Sequence, residues 1–408
     1  MSTVLKPDTP SSVSASAWRG RRVGIVLGAL AAGSRERVIV GLAKRLADAG
    51  AEVDLLIPGM SDAVSEGLAA SIRWHDLSGR VTRTLPNIVR LALSPPKIAA
   101  YLRRAKPDAM LSLSIPPNLA TLAARRLAAS RTPVVIRQSN VMRIDGSAVY
   151  GHIDRRLRDR LMRWLYPDAD AVIAVSGGVA DNLHRATGVN AEKIHAIANG
   201  VPLERIDRLA RAPSPHPWLD DPAIPVVLAV GRLVRKKDYP TLLRAFVRLR
   251  QTHPARLIIL GDGPKRRAIE RQRTALGLDD VVDLPGRSDN PFAYLRRASL
   301  YVLSSTFEGM PSALIEALVC GCPAVSTDCP SGPSEILEDG RYGRLAPVAD
   351  GDALADAMAA TLHVPPPRAR QRSRGLSFSA DKTVDAYLAV LEEICSRSAD
   401  MRHAATMV

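Results

Sequence analysis

The chain has 408 residues, 46% hydrophobic and 24% charged, with a net charge of +15 and 4% aromatic residues. Its length exceeds one small core and predicts two domains of roughly 150–200 residues, and the composition excludes a disordered or fibrous chain. The basic excess is largely arginine spread along helices, as in Arg155-Arg156-Leu157-Arg158, with no interleaved aromatics; this argues against nucleic acid and leaves solvated helix faces or an anionic membrane surface.

Residues 1–21 are rich in Ser, Thr and Pro and lack a continuous apolar stretch, so they read as a disordered tail and not a signal peptide. Apolar runs then follow at Val23–Leu27, Val53–Ile57, Met110–Leu113, Val134–Ile136 and Ala171–Val175. Amphipathic stretches lie between them, among them Arg35–Ala49, Asn118–Ala129 and Asp154–Leu165. A second series has runs at Val226–Val230, Leu257–Leu260, Val281–Leu284, Leu300–Leu303 and Ala324–Ser326. Its helical stretches are Thr241–Gln251, Lys265–Leu276, Ser312–Val319 and Asp352–Leu362. Alternating strands and helices predict an α/β chain with two doubly wound parallel sheets, each covered on both faces. Six prolines crowd Val201–Pro225 and mark the boundary. The expected domains are therefore 22–200 and 201–380. A last helix over 381–395 follows the break at Pro365-Pro366-Pro367 and is expected to pack back on the first domain, with a tail over 396–408.

No apolar run reaches about 18 residues, so no transmembrane helix is expected and the chain reads as cytoplasmic. Cys320, Cys322, Cys329 and Cys395 lack zinc spacing and read as reduced thiols.

In open parallel sheets ligands bind beyond the carboxyl ends of the strands. After Val226–Val230 comes Gly231-Arg232-Leu233-Val234-Arg235-Lys236-Lys237, where Arg232 and Lys237 can overhang the strand end as phosphate-binding cations. A plain basic loop is the competing reading. After Leu257–Leu260 comes Gly261-Asp262-Gly263-Pro264. Asp283 lies about 20 residues on, as in a dinucleotide fingerprint, but Arg266 stands where the third glycine belongs, so a tight strand-to-helix turn is the better reading. After Leu300–Leu303 comes Ser304-Ser305-Thr306-Phe307-Glu308-Gly309-Met310-Pro311, then the helix with Glu316. A helix N-terminus offers free amides and partial positive charge. Glu308 and Glu316 could line one cleft and accept hydrogen bonds from hydroxyl pairs. Cations for phosphate beside carboxylates for hydroxyls suit a sugar diphosphate.

These residues resemble the pattern of glycosyltransferase family 4, retaining group 1 enzymes of the GT-B fold. Glu308 to Glu316 is similar to the family's E-x7-E motif, and Gly231-Arg232 with Lys237 to its G-R…K. Asn199-Gly200-Val201, Gly261-Asp262-Gly263-Pro264 and Cys329-Pro330-Ser331-Gly332-Pro333-Ser334-Glu335-Ile336 look like further family segments. The resemblance spans roughly residues 22–395. It implies two Rossmann-like domains facing across a cleft. It also implies a nucleotide diphosphate sugar as donor, a glycan or lipid-linked hydroxyl as acceptor, and no cofactor or metal.

The resemblance implies that Arg232 and Lys237 hold the diphosphate. Glu316 would bind the ribose, and Glu308, with the amides of Gly309 and Met310, the sugar. Gly231, Gly261, Gly263, Pro311, Leu314 and Asn199 complete the expected donor side. On the acceptor side it points to the loop at Gly33-Ser34-Arg35-Glu36-Arg37, where Ser34 replaces a glycine. Where many relatives carry a histidine, this chain has Arg137-Gln138-Ser139-Asn140, so Ser139 and Asn140 are the polar candidates. Asp168-Ala169-Asp170 spells a D-x-D metal motif but precedes a strand, so a structural role is expected. His152, His184 and His195 are isolated and read as structural. The expected function is synthesis of cell-surface polysaccharide or lipopolysaccharide at the cytoplasmic face of a membrane. The rival readings are a nucleotide-sugar epimerase of the same fold, or a non-catalytic sugar-nucleotide binder.

Overall fold

The computed structural model describes residues 18–28, 34–58, 72–78, 87–142 and 155–406. They form two compact units. The first comprises the described residues up to Asn199 together with 380–406; the second comprises Gly200–Ser379.

The first unit is built on a parallel sheet of seven described strands in the order β3-β2-β1-β4-β5-β6-β7. These are β1 (Arg22–Val26), β2 (Glu52–Ile57), β3 (Ile72–Asp76), β4 (Ala109–Leu113), β5 (Val134–Gln138), β6 (Ala171–Ala174) and β7 (Ile194–Ala196). Successive residues point to opposite faces, so β1 sends Val23 and Ile25 into one core and Val26 into the other. One face carries the helix Ser34–Asp48, through Ile39, Leu42 and Leu46, and the last helix, through Tyr387, Leu388 and Leu391. The other face carries Ile98, Leu102, Leu122 and Met162. Helices on both faces explain why central strands such as β4 and β5 are buried along their whole length.

The second unit holds a parallel sheet of six described strands in the order β10-β9-β8-β11-β12-β13. They are β8 (Val226–Val230), β9 (Arg256–Leu260), β10 (Val282–Gly286), β11 (Leu300–Leu303), β12 (Ala324–Thr327) and β13 (Arg344–Ala346). The helices Tyr239–Arg250 and Gly351–His363 close one core with Leu242, Phe246, Leu354 and Met358. The helix Ser312–Val319 is buried from Leu314 to Val319, the mark of a helix enclosed by protein on most sides.

In both sheets the order of strand addition reverses once, between β1 and β4 and between β8 and β11. At such a reversal the loops leaving two adjacent strands diverge and open a crevice. In the second unit those loops are the ones after β8 and β11.

Three expectations need correction. Trp18, placed in a tail, is fully buried in the first core, and Gly20 N–H donates to Gly50 O. The last helix runs Ala380–Thr406, so most of the expected tail 396–408 is helical. No glycine or proline interrupts this stretch, and Arg397 pairs with Glu393 one turn back. The edge strands β3, β7 and β13 were not among the expected runs. They are short or polar, as Ile72-Arg73-Trp74-His75-Asp76 shows, because an edge strand is only partly covered.

Candidate active site

The loop after β8 is fixed through its backbone. Gly231 N–H donates to Leu260 O, Leu233 N–H to Asp262 O, and Lys265 N–H to Leu233 O, all at 2.9 Å. The loops after β8 and β9 therefore lie backbone against backbone. A Cβ on Gly261 would stand 1.9 Å from Gly231 O, and one on Gly263 would stand 2.6 Å from Leu233 O. Gly261 also has φ +144, which favours glycine. Packing alone thus requires both glycines, as the tight-turn reading holds. Asp283, noted above for its fingerprint spacing, hydrogen-bonds His216.

Residues Arg235–Lys237 form one 3-10 turn, ended by Asp238 in the left-handed region. The loop after β11 is stitched to this turn. Thr306 N–H donates to Lys236 O at 2.8 Å, and Ser304 Oγ donates to Lys237 O at 2.7 Å. Both lysines consequently meet Glu308. Lys237 Nζ lies 2.7 Å from Oε1 and Lys236 Nζ 2.9 Å from Oε2, while Ser305 Oγ donates to Oε1 at 3.0 Å. Glu308 is 6% exposed. Burial pushes its carboxyl up, but the ammoniums of Lys237 and then Lys236 outweigh this and hold it at about 2. The sequence reading included Lys237 and missed Lys236. The sequence shows two adjacent lysines but not that both face one carboxylate.

Arg232 is exposed, and among the described residues its guanidinium has no acidic partner. It stands on the same loop as a cation open to an anion. Gly309, Met310 and Pro311 lead into the helix Ser312–Val319, on which Leu314 is fully buried and Glu316 6% exposed. Their position is set from below. Ser331 Oγ donates to Gly309 O at 3.0 Å, and a Cβ on Gly332 would stand 2.8 Å from the same oxygen. Thr327 Oγ1, at the end of β12, donates to Ser305 O at 2.6 Å. The second unit thus carries Gly231, Arg232, Lys237, Gly261, Gly263, Glu308, Gly309, Met310 and Pro311 on connected loops at its strand reversal, with Leu314 and Glu316 on the helix that follows.

Asn199 belongs to the first unit. There Arg137, at the carboxyl end of β5, is buried, and its guanidinium donates to Asn199 Oδ1 and Tyr387 Oη at 2.6 Å each and to Ser139 Oγ. Two expected site residues, Asn199 and Ser139, therefore serve an arginine that was not singled out. Asn140 is half-buried and its carbonyl accepts from Gln138 Nε2 at 2.7 Å. Gly33 lies outside the described residues, as does His152; Ser34 opens a helix.

Asp168 and Asp170 are taken by Arg126 and Arg125 respectively, which ties the D-x-D segment to the neighbouring helix. His184 Nδ1 hydrogen-bonds Val189 O, and burial lowers the pKa of His195. The four cysteines are buried and unpaired with one another, with burial pushing Cys322 and Cys329 up to about 12. Among the described residues no group of three or more His, Cys, Asp or Glu side chains is placed to hold a metal ion. No helix there is long and apolar enough to cross a membrane.

Comparison with known proteins agrees with this architecture. Residues 218–377 match the family described as "Glycosyl transferases group 1", and residues 36–205 match "Glycosyltransferase Family 4". A Campylobacter jejuni N-acetylgalactosamine-N,N'-diacetylbacillosaminyl-diphospho-undecaprenol 4-alpha-N-acetylgalactosaminyltransferase is 27% identical over 82% of this chain and 88% of its own. The lipopolysaccharide core biosynthesis glycosyltransferase LpsE of Rhizobium meliloti is 28% identical over 88% of this chain and 96% of its own. The structure of Anabaena HepE in complex with UDP and glucose superposes with a TM-score of 0.72 at 17% identity, covering 91% of this chain and all of that one. The two parallel α/β units are the Rossmann-like domains of the GT-B fold, and the chain belongs to the family 4, group 1 glycosyltransferases.

Proposed function

We propose that this glycosyltransferase uses a nucleotide diphosphate sugar to extend a glycan or lipid-linked acceptor during cell-surface polysaccharide or lipopolysaccharide synthesis, with retention and without a metal. The observation that carries the reading is the buried Glu308 carboxylate between Lys236 and Lys237 at the strand reversal of the second unit. Arg232 and Lys237 supply charge for the diphosphate. Glu308 and the amides of Gly309 and Met310 offer acceptors and donors to the sugar, and Glu316 to the ribose. The acceptor oxygen bonds to the anomeric carbon on the face the diphosphate is leaving. The bond from that carbon to the phosphate oxygen breaks, and the acceptor proton passes to the departing diphosphate. Cations already in place stabilise the charge on that group, so the reading calls for no metal.

A panel of UDP- and GDP-sugars, offered with a polyprenyl-diphosphate-linked sugar, tests this. The product's anomeric configuration by NMR should equal the donor's, and EDTA should leave turnover unchanged. An inverted centre, or activity lost to EDTA and restored by Mn2+, contradicts the corresponding part.

We place peripheral contact with the cytoplasmic membrane face on the helix Arg155–Leu165 of the first unit. Its exposed side presents Arg156, Leu157, Arg160, Arg163 and Trp164, with Leu157 and Trp164 more than half exposed. Arg126 stacks over the Trp164 ring at 4.2 Å. An amphipathic indole among arginines suits an anionic interface. Sedimentation with phosphatidylglycerol vesicles but not phosphatidylcholine vesicles is expected, and Trp164→Ala with Arg160→Glu should abolish it. Equal sedimentation of that double variant removes this helix as the contact.

A further inference from the structure

The family pattern accounts for one cation after Gly231-Arg232, and Lys237 fills that place. Lys236 is left without a role, yet its geometry is as closely defined. Its carbonyl is held by Thr306 N–H, and its ammonium sits 2.9 Å from Glu308 Oε2 and 5.4 Å from the centre of the Phe307 ring. Phe307 is itself buried, so the ring forms a fixed platform under the ammonium. The two lysines do not share an oxygen: Lys237 takes Oε1, together with Ser305, and Lys236 takes Oε2.

This division matters once the donor arrives. Lys237 cannot give its full charge to a diphosphate and keep Glu308 fully neutralised. A buried carboxylate that loses its only cation takes up a proton or moves, and either change spoils it as a hydrogen-bond acceptor for sugar hydroxyls. The remaining groups around Glu308 cannot replace a cation. Tyr239 and Tyr301 on the neighbouring elements and the Cys329 thiol are each buried and held neutral, with the charge of Glu308 adding to the effect of burial, so none of them supplies a counter-charge. Ser305 supplies one neutral hydrogen bond.

We propose that Lys236 is a positioning residue: it keeps Glu308 ionised and in place while Lys237 turns to the donor diphosphate. The inference rests on the donor-site reading above and adds a division of labour between the adjacent lysines. Lys237 serves the leaving group; Lys236 serves the carboxylate that receives the sugar.

The test compares Lys236→Met, Lys236→Arg, Lys237→Met and Glu308→Gln in the full-length protein, each checked for native circular dichroism. UDP and GDP titrations read the diphosphate contact, and the pH dependence of turnover on the UDP- and GDP-sugar panel reads Glu308. In Lys236→Met the acid limb of kcat should move up by roughly one pH unit or more, while UDP affinity changes less than about threefold. Lys236→Arg should restore the acid limb, because it restores a cation over Phe307. Lys237→Met should show the opposite split, with UDP affinity falling at least tenfold or so. A wild-type pH profile in Lys236→Met overturns the proposal, as does a loss of UDP affinity equal to that of Lys237→Met. If Lys236→Met does not fold, Lys236→Gln is judged by the same two readouts. Glu308→Gln separates the layers: its full activity removes the donor-site reading itself, whereas an inactive Glu308→Gln beside an unaltered Lys236→Met removes only the role of Lys236.

Discussion

The two units share a sheet plan and differ in what their strand ends do with charge. In the second, a buried carboxylate faces two lysines, and Arg232 on the same loop as those lysines is exposed, without an acidic partner among the described residues. In the first, the buried cation at the end of β5, Arg137, is met by the neutral oxygens of Tyr387, Ser139 and Asn199. The first arrangement is tied into the last helix and holds the unit together. In the second unit the carbonyls of Lys236 and Lys237 are held by Thr306 and Ser304, while the ammonium groups meet Glu308, an anion that a diphosphate can replace at Lys237. Buried charges can thus serve support in one unit and binding in the other; what separates them is whether the charged end meets neutral oxygens of the fold or an ion-pair partner that another anion can replace.

This contrast can be broken in four ways, in falling order of effect. Lys237→Ala should weaken UDP binding by roughly 2–5 kcal/mol, measured by calorimetry, with little change in melting temperature. Loss of stability without loss of binding would make Lys237 another Arg137. Gly261→Ala should act through the fold, since its Cβ would collide with Gly231 O. A loss of about 2–4 kcal/mol in denaturant unfolding is expected, and an unchanged midpoint would mean the two loops are not locked. Arg137→Met should cost the first unit about 1–3 kcal/mol by stranding its three acceptors, and leave UDP affinity untouched. A drop in UDP affinity matching that of Lys237→Ala would merge the two roles.

The smallest expected effect concerns pH. Glu308 is depressed from its ordinary 4.5 to about 2, so its stabilising contribution is complete above about 4.5 and is lost as pH falls through about 2. The stability difference between wild type and Glu308→Gln should therefore stay constant from pH 5 to 8 in thermal melts. A difference that shrinks between pH 7 and 5 would mean Glu308 is not held by both lysines.

Much of this was legible from residue order. Central strands buried on both faces are continuous apolar runs, and the loops that follow β8, β9 and β11 carry glycines, cations or a carboxylate within a few residues of the strand end. What was not legible depended on contacts far apart in sequence. The close approach that requires Gly261 is to Gly231, thirty residues earlier. The partners of Arg137 come from positions 199 and 387. Lys236 was passed over because the motif has room for one lysine, and only the stitching of the turn to Thr306 and Ser304 shows that both face Glu308. Trp18 shows the converse error: a polar context hid one large apolar side chain able to anchor the segment to the core.

The most direct test of the account is the transfer rate of Glu308→Gln at pH 7, with its fold checked by circular dichroism and its UDP affinity by calorimetry. An isosteric amide keeps the shape and removes the charge that two lysines and the sugar are argued to share. The account predicts native folding, UDP binding within a few-fold of wild type, and turnover lower by roughly 2–5 kcal/mol in activation free energy. Wild-type turnover in that variant would contradict it.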